Sequence, residues 1–323
     1  MIKIGIIGGD SNVAGELIRL LVMHPEVDLK FVNSEGKVGC KVADWHPGLE
    51  DLCALSFVDD IPFEEVDLLF FCTEAGVTRK FMDSHNLPEN LKVIDLSADY
   101  RMPSEDNSFE YGLPELNRRA TCKAKYVSNP GTCATAVLLG LLPLAKYSLL
   151  NSDVMIGSII GTSQASPSEM ATVPAMRRMH DNVYLSHAFE HEDLDEMKRS
   201  LVKLQEDFNA ELNYVTWQGG FARGIFTTIV VPTNLELDEV THLYEDYYKE
   251  DSFVYMMPDN IDLKQVVGTN RCLIHLEKHG NRLMVVTCID NLLKGAAGQA
   301  VHNMNLLFNL EETVGLQLKA SVY

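Results

Sequence analysis

The sequence predicts an α/β protein in which a Rossmann-type, doubly wound parallel sheet is followed by a second α+β domain with a mixed or antiparallel sheet. Three observations favour this class. The first third of the chain alternates short apolar strands with helical segments, as in parallel sheets that are covered on both faces. The first strand ends in glycines where a helix begins, and the later strands are joined by hairpins instead of crossovers.

The strands and helices follow from short apolar runs and from helical spacing. In the first domain, strands are expected over residues 2–7, 28–33, 66–72 and 91–96, with a helix over 15–23. In the second domain, strands are expected over 154–160, 224–231, 272–276 and 283–289, a hairpin turn over 278–281, and amphipathic helices over 192–210 and 236–249. A last helix over 291–308 begins with small residues, which permit close packing of its backbone.

Composition and charge exclude several classes of protein. Of the 323 residues 46% are hydrophobic, and 27 basic against 46 acidic residues give a net charge of −19. Such a chain folds, and its acidity disfavours nucleic acid and anionic membrane surfaces as partners. It has no apolar run of about 18–20 residues, which a membrane span needs.

Cysteine usage and the N-terminus indicate a cytoplasmic protein. The seven cysteines form no CxxC pair, which favours reduced thiols over disulfides or a zinc site. The N-terminus lacks the long apolar region of a signal peptide. No group of histidines and carboxylates has ligand spacing, so no metal site is expected.

The first candidate site is the glycine loop after the first strand, Gly8-Gly9-Asp10-Ser11-Asn12-Val13-Ala14-Gly15. Backbone N–H groups at the start of the next helix would face a pyrophosphate there. The candidate cofactor-binding residues are therefore Gly8, Gly9, Ser11, Asn12, Val13 and Gly15. The loop is not the GxGxxG fingerprint, and Asp10 would put negative charge near the phosphates, so a turn without a ligand is the alternative.

The end of the second strand indicates which dinucleotide would bind. Asn33 and Ser34 stand where NAD sites normally place Asp or Glu for the ribose hydroxyls. These two residues leave room for a 2′-phosphate. NADP is therefore the expected cofactor, with Ser34 among its contacts.

The second candidate site is Cys133, in Asn129-Pro130-Gly131-Thr132-Cys133. A Pro-Gly turn leads into an apolar helix, which places Cys133 in the first helical turn. Because N–H dipoles at that position stabilise a thiolate and lower the pKa of the thiol, Cys133 is a candidate nucleophile. The alternative is a buried cysteine that packs the turn.

Two further residues could take part in chemistry. His191 precedes a predicted helix and lies among carboxylates, which would raise its pKa and make it an acid–base partner for Cys133. A solvated surface histidine is the alternative. Arg223 lies at the start of a strand, where its guanidinium could bind a substrate carboxylate or phosphate, or form a surface ion pair.

Four segments carry a resemblance to a known family. They are residues 289–300 (IDNLLKGAAGQA) with the HNMNLLF that follows, residues 95–101 (DLSADYR), residues 111–116 (YGLPEL) and the Asn129-Pro130-Gly131 turn. They resemble the N-acyl-γ-glutamyl-phosphate reductases, the aldehyde-forming enzymes of arginine biosynthesis. The resemblance covers essentially the whole chain.

The resemblance implies a domain arrangement and a reaction. Residues 1–130 would bind the dinucleotide, completed by a helix that returns over 300–323, and residues 131–299 would form the substrate and oligomerisation domain. A cysteine thiolate would displace phosphate from N-acetyl- or N-succinyl-γ-glutamyl phosphate, and hydride from NADPH would reduce the resulting thioester to the semialdehyde, with a histidine as acid–base catalyst. Asn291 would belong to the cofactor site, and the protein would be a homodimer or homotetramer.

The sequence departs from the family pattern at its chemical positions. The family has Asn-Pro-Gly-Cys followed by Tyr or Phe, whereas here Thr132 stands in the cysteine's place and Cys133 in the aromatic's. Of the family's His-x-His pair, His191 matches the first and Asp193 replaces the second. Three hypotheses remain: an active reductase that uses Cys133, or Thr132 in a weakened role; a catalytically impaired relative that keeps the fold and nucleotide binding; and a different aldehyde dehydrogenase chemistry on this scaffold.

Overall fold

The computed structural model describes residues 1–105, 107–164 and 178–320. The chain divides into two compact units. Unit 1 comprises Met1–Gly131 and Ala296–Gln317. Unit 2 comprises Thr132–Gly295 and the described residues from Leu318 onward.

Unit 1 contains a sheet of seven strands. Their order across the sheet is β3 (Phe57–Val58), β2 (Val27–Asn33), β1 (Ile2–Ile7), β4 (Leu68–Phe71), β5 (Lys92–Asp95), β7 (Tyr126–Ser128) and β6 (Phe109–Tyr111). All of these strand pairs are parallel. The central strand β4 is buried along its whole length, as expected for a parallel sheet with helices on both faces. The predicted Rossmann-type sheet is confirmed.

The helices of unit 1 come from both ends of its sequence. They are α1 (Asn12–Leu21), α2 (Val42–Trp45), α3 (Val77–Ser84), α4 (Pro114–Thr121) and, after a π-helical turn over Leu293–Ala297, α8 (Gly298–Leu307). Every residue of α8 is buried. Its Asn303 donates hydrogen bonds to the Gly112 carbonyl and to Asn129 Oδ1, at 2.8 and 3.1 Å. Three of the segments that carried the family resemblance therefore meet in the core of unit 1.

Unit 2 contains a mixed sheet of seven strands. Their order is β12 (Val254–Met257), β13 (Cys272–His279), β14 (Arg282–Ile289), β11 (Ile225–Pro232), β8 (Val154–Ile160), β10 (Leu212–Gln218) and β9 (Tyr184–Ala188). The pairs β8–β10 and β12–β13 are parallel, and the others are antiparallel. The predicted mixed sheet is confirmed.

One face of this sheet is covered by helices. Unit 2 has α5 (Thr132–Lys146), α6 (Leu194–Val202) and α7 (Leu237–Tyr248), and α5 packs on β11, β13 and β14. Pro143 inside α5 has no N–H to give to the Leu139 carbonyl. The Tyr248 hydroxyl of α7 donates to that carbonyl at 2.5 Å, so the buried acceptor keeps a partner.

The opposite face of the sheet is open at its centre. Along β8, β10 and β11 every second side chain is exposed or half-buried, while its neighbours are buried. The open positions are mostly apolar and include Met155, Ile159, Val215, Trp217, Phe226 and Val230. Met155 is 50% exposed. These positions form the open face of the sheet.

The predicted helix over residues 192–210 is too long, because the structure ends α6 at Val202 and continues in turns. Strands β3, β6 and β7 have only two or three residues, too few for a periodic pattern. In the described part of the chain, no helix combines the length and the apolar character that crossing a membrane requires.

Candidate active site

The glycine loop lies at the carboxyl end of β1. Gly8 has a φ of +77°, and a Cβ there would lie 2.7 Å from the Cys72 carbonyl oxygen. The Gly9 amide donates to the Asn33 carbonyl at 2.8 Å, and a Cβ on Gly9 would lie 2.1 Å from a Val32 methyl. Both positions therefore require glycine, which lets the backbone lie close against β2 and the end of β4.

The rest of the loop begins α1. Ser11 is the N-cap, and its hydroxyl accepts a hydrogen bond from the Ala14 N–H at 3.1 Å. Asn12 and Val13 form the first turn, and the Asn12 side chain is exposed. Gly15 packs against the ring of His46. The predicted loop residues thus lie together at one helix N-terminus.

A segment after β2 holds this loop from outside. The Trp45 indole donates to the Asp10 carbonyl at 2.9 Å, and His46 Nε2 lies 2.7 Å from the Gly9 carbonyl. Sequence reasoning missed both residues. They follow the second strand by more than ten positions and form no motif with the loop.

A cavity of about 410 Å³ opens beside the glycine loop in unit 1. Its lining residues are Ile7, Gly8, Asp10, Asn33, Ser34, Glu35, Gly36, Ile61, Phe71, Thr73, Val77 and Phe81. The Asn33 amide is already engaged, since it donates to the carbonyls of Val58 and Asp59. The glycine loop, the helix N-terminus and this cavity fit a dinucleotide. The negative charges of the Asp10 and Glu35 carboxylates in this lining disfavour the binding of an additional phosphate group.

In unit 2, Cys133 lies in the first turn of α5, as predicted. Its side chain is only 2% exposed. Burial raises the pKa of the Cys133 thiol, and the Asp193 carboxylate raises that pKa further, while Tyr214 opposes both. The predicted lowering of this pKa is wrong, because loss of solvent outweighs the helix dipole.

Thr132 faces a different part of unit 2. Its hydroxyl donates to the Gly295 carbonyl at 3.1 Å, and a Cβ on Gly295 would lie 2.4 Å from the Thr132 methyl. Successive helical residues differ by about 100° in direction. Thr132 therefore points to the π-helical turn, whereas Cys133 points to Tyr214 and to the residues before α6.

His191 lies beside the same tyrosine. The ring centroids of His191 and Tyr214 are 5.2 Å apart, and those of His191 and His187 are 5.4 Å apart. His191 Nδ1 accepts a hydrogen bond from the Asp193 N–H at 3.1 Å. Burial lowers the pKa of His191 despite the opposing charge of Asp193, so the predicted raising of this pKa is wrong.

The structure thus brings Cys133, Asp193, Tyr214 and His191 into one cluster. An opening of about 690 Å³ lies on the His191 side and is lined by His187, Glu190, His191, Glu192, Leu194 and Asp195. Sequence reasoning missed Tyr214, although its place among alternating residues of a strand could have marked it as a buried aromatic. Among the described residues, no group of three or more His, Cys, Asp or Glu side chains could hold a metal ion.

Arg223 and Asn291 form contacts within unit 2 at the start of β11. Arg223 Nη2 donates to Asp290 Oδ1 at 3.0 Å. Because Asp290 is fully buried, this is a buried ion pair and not the surface ion pair expected as the alternative. Asn291 is 1% exposed; its Oδ1 accepts from the Gly224 N–H at 2.7 Å, and its Nδ2 donates to Ser163 at 2.9 Å. Asn291 holds the backbone at Gly224, and Arg223 binds the Asp290 carboxylate. The roles of both side chains toward substrate and cofactor stay predictions.

Known proteins resemble both units. Residues 3–124 match the family model described as "Semialdehyde dehydrogenase, NAD binding domain", and residues 133–291 match "Semialdehyde dehydrogenase, dimerisation domain". The N-acetyl-gamma-glutamyl-phosphate reductase of Bacteroides fragilis is 57% identical over 323 residues, and that of Phocaeicola vulgatus is 58% identical over 323 residues. Each of these comparisons covers 100% of both chains.

The chain belongs to the N-acetyl-gamma-glutamyl-phosphate reductase family. This confirms the family resemblance and the expectation of an NAD(P)-dependent oxidoreductase of arginine biosynthesis.

Solved structures of aspartate semialdehyde dehydrogenases share the fold of this chain. Aspartate semialdehyde dehydrogenase II from Vibrio cholerae superimposes with a TM-score of 0.74 at 16% identity, covering 96% of this chain and 99% of that one. An aspartate semialdehyde dehydrogenase from Candida albicans, solved with NADP, gives a TM-score of 0.68 at 15% identity, covering 95% and 98%. At these identities the likeness shows the shared fold alone.

Proposed function

We propose that this chain interconverts an N-acylated γ-glutamyl phosphate and its semialdehyde with NADP(H), in the cytoplasmic synthesis of arginine. The observation that carries the proposal is full-length identity of 57–58% to reductases of that name. The cavity of about 410 Å³ beside the glycine loop supports the cofactor half of the reaction.

Unit 1 would bind the phosphate groups of the cofactor through backbone amides and the Ser34 side chain. The amides that begin α1, reached through Gly8 and Gly9, suit the pyrophosphate, and Ser34 suits the phosphate on the ribose. When bound, NADPH supplies the hydride. The residues of this chain must then supply a nucleophile, a proton and a site for the substrate.

Cys133 is the proposed nucleophile of unit 2. Its thiolate attacks the acyl carbon, the bond from that carbon to the phosphate oxygen breaks, and inorganic phosphate leaves a thioester. Hydride reduces the thioester to a thiohemiacetal, and the carbon–sulfur bond then breaks to release the aldehyde and the thiolate. His191, next to Tyr214, is the proposed proton carrier, and Arg223 is the proposed partner of a substrate anion.

The assay is the reverse reaction, in which N-acetyl- or N-succinyl-glutamate semialdehyde and phosphate reduce NADP⁺. We expect phosphate-dependent absorbance at 340 nm that disappears in Cys133→Ser and persists in Cys288→Ser, a buried thiol of the same unit. Running both semialdehydes identifies the acyl group. Turnover that survives in Cys133→Ser would exclude the thioester on this residue.

A specific observation favours a second candidate, a relative that binds the same ligands with impaired catalysis. Cys133 is buried beside the Asp193 carboxylate, and the Thr132 hydroxyl is engaged with Gly295. Under this alternative the wild type binds NADP without turnover, and activity appears in the double variant Thr132→Cys, Cys133→Tyr. Calorimetric titration with NADP separates loss of binding from loss of chemistry.

The partners proposed for this chain are the acyl phosphate, phosphate and a second copy of itself. Unit 2 matches a dimerisation domain, and its open face offers an apolar surface on β8, β10 and β11. Burying such a surface between two copies is the usual basis of a stable homodimer. A tetramer would require a second contact.

A further inference from the structure

Asp193 lies at the N-terminal end of α5. Its side chain is 4% exposed, and its Oδ2 accepts the Ala134 N–H at 3.1 Å. Ala134 is the third residue of α5, whose first N–H groups have no partner inside the helix. Such amides attract anions, so a buried carboxylate takes the position that another anion would otherwise use.

The ionisable groups that face Cys133 are mostly acidic. Asp193 and Glu192 come from the segment before α6, Glu196 comes from α6, and Tyr214 comes from β10. His191 contacts the ring of Tyr214, with 5.2 Å between the ring centroids. A thiolate at Cys133 would therefore be a second anion in a pocket that already holds a carboxylate with little access to water.

We propose that Asp193 occupies the anion-binding end of α5 with its own carboxylate and thereby holds Cys133 as a neutral thiol. Asp193 is then a positioning residue, because it acts on the reaction only through Cys133. The inference concerns ionisation of Cys133 and rests on the proposed function only for its catalytic consequence. It also explains why Cys133 gains little from its place at a helix N-terminus, since the amide of the next residue, Ala134, is already bonded to Asp193.

Asp193→Asn is the informative variant. The asparagine oxygen can still accept the Ala134 N–H, so the change removes the charge and keeps the contact. Asp193→Glu keeps the charge but disturbs the packing, and Asp195→Asn removes an exposed charge two residues away. Together these variants separate the effect of the charge from that of loosened structure.

The measurement is alkylation of the intact, folded chain by iodoacetamide across pH 7–9, with each cysteine quantified by mass spectrometry. The rate at Cys133 is divided by the rate at Cys288, which is also fully buried, so that general opening of unit 2 cancels. A like charge at short range is worth about 1–3 pKa units, so Asp193→Asn is expected to raise this ratio about tenfold or more. Asp193→Glu and Asp195→Asn are expected to leave it within about twofold.

Two results would overturn the inference: an unchanged ratio in Asp193→Asn, or an equal rise in Asp193→Glu. The semialdehyde assay on the same preparations tests the proposed function separately. A raised ratio without turnover in any variant supports the role of Asp193 and refutes Cys133 as the nucleophile of a working reductase. Turnover with an unchanged ratio refutes the role of Asp193 and leaves Cys133 as the proposed nucleophile.

Discussion

The contact between Thr132 and Gly295 gives the sharpest test of where the family's cysteine position points. In Gly295→Ala the new Cβ would lie 2.4 Å from the Thr132 methyl, 1 Å short of the 3.4 Å at which ordinary contact begins. Rotating Thr132 would relieve the clash but break its hydrogen bond to the Gly295 carbonyl, worth about 1 kcal/mol. Overpacking costs about 1–3 kcal/mol, and replacing glycine in a helical turn returns up to about 1 kcal/mol. The free energy of unfolding should therefore fall by about 1–2 kcal/mol.

The same substitution should be harmless when Thr132 is first changed to serine. Serine keeps the hydroxyl and lacks the methyl, and the next atom, the Cβ of residue 132, lies 3.4 Å away. Gly295→Ala then becomes neutral or stabilising by up to about 1 kcal/mol, because alanine restricts the unfolded chain. The double-mutant cycle should give a coupling energy of at least about 1 kcal/mol.

Urea unfolding at one fixed protein concentration measures the free energy of unfolding of the four proteins in the cycle, which are the starting protein, the two single variants and the double variant. The protein has two tryptophans, so a Trp45→Phe background leaves Trp217 as a fluorescence reporter of unit 2 alone. A coupling energy indistinguishable from zero would refute the reasoning. It would mean that residue 132 does not face the π-helical turn, and the separation of Thr132 from the Cys133 pocket would fall with it.

Three further predictions address the cofactor, the assembly and the pH dependence. Glu35 lines the cavity with Ser34, and its carboxylate repels a 2′-phosphate. Glu35→Gln should therefore raise the affinity for NADP relative to that for NAD about fivefold in calorimetric titrations. Glu110→Gln, which changes an exposed acid on β6, should leave this affinity ratio unchanged. Met155→Lys on the open face should convert the proposed dimer to a monomer in light scattering coupled to gel filtration. Met23→Lys, on an exposed side chain of unit 1, should not change the mass, and an unchanged mass for Met155→Lys would place the interface elsewhere. Burial lowers the pKa of His24 below its ordinary 6.5, so the folded state binds a proton less readily than the unfolded state. The stability of unit 1 should therefore fall as the pH drops below about 6.5. His24→Gln should flatten that pH dependence of the urea midpoint and His242→Gln, which is exposed, should leave it intact.

The strands that carry long apolar runs could be predicted from sequence, and the short ones could not. Residues 2–7 and 154–160 coincide with β1 and β8, because an uninterrupted or alternating run of six or seven residues leaves little choice of structure. The strand β7 has three residues and depends on its neighbours β5 and β6 for hydrogen bonds. A local pattern cannot express that dependence.

The candidate site was predicted in part. Its loops were found because each is local in sequence: glycines that end a strand, and a Pro-Gly turn that begins a helix. Their surroundings are not local. Asp193 and Tyr214 reach Cys133 from about 60 and 80 residues away, because α6 packs beside α5 and β10 packs against α6. Burial and carboxylate charge there reverse the pKa direction that the helix dipole alone would give.

By itself, the sequence determined the family, the two sheet types and the positions of the glycine loop and of Cys133, because these depend on residue identity and short-range spacing. Only the tertiary structure decided what Cys133 faces and that Thr132 points away to Gly295. Ionisation depends on solvent access and on charges within a few ångströms, and those are fixed only when distant segments pack together.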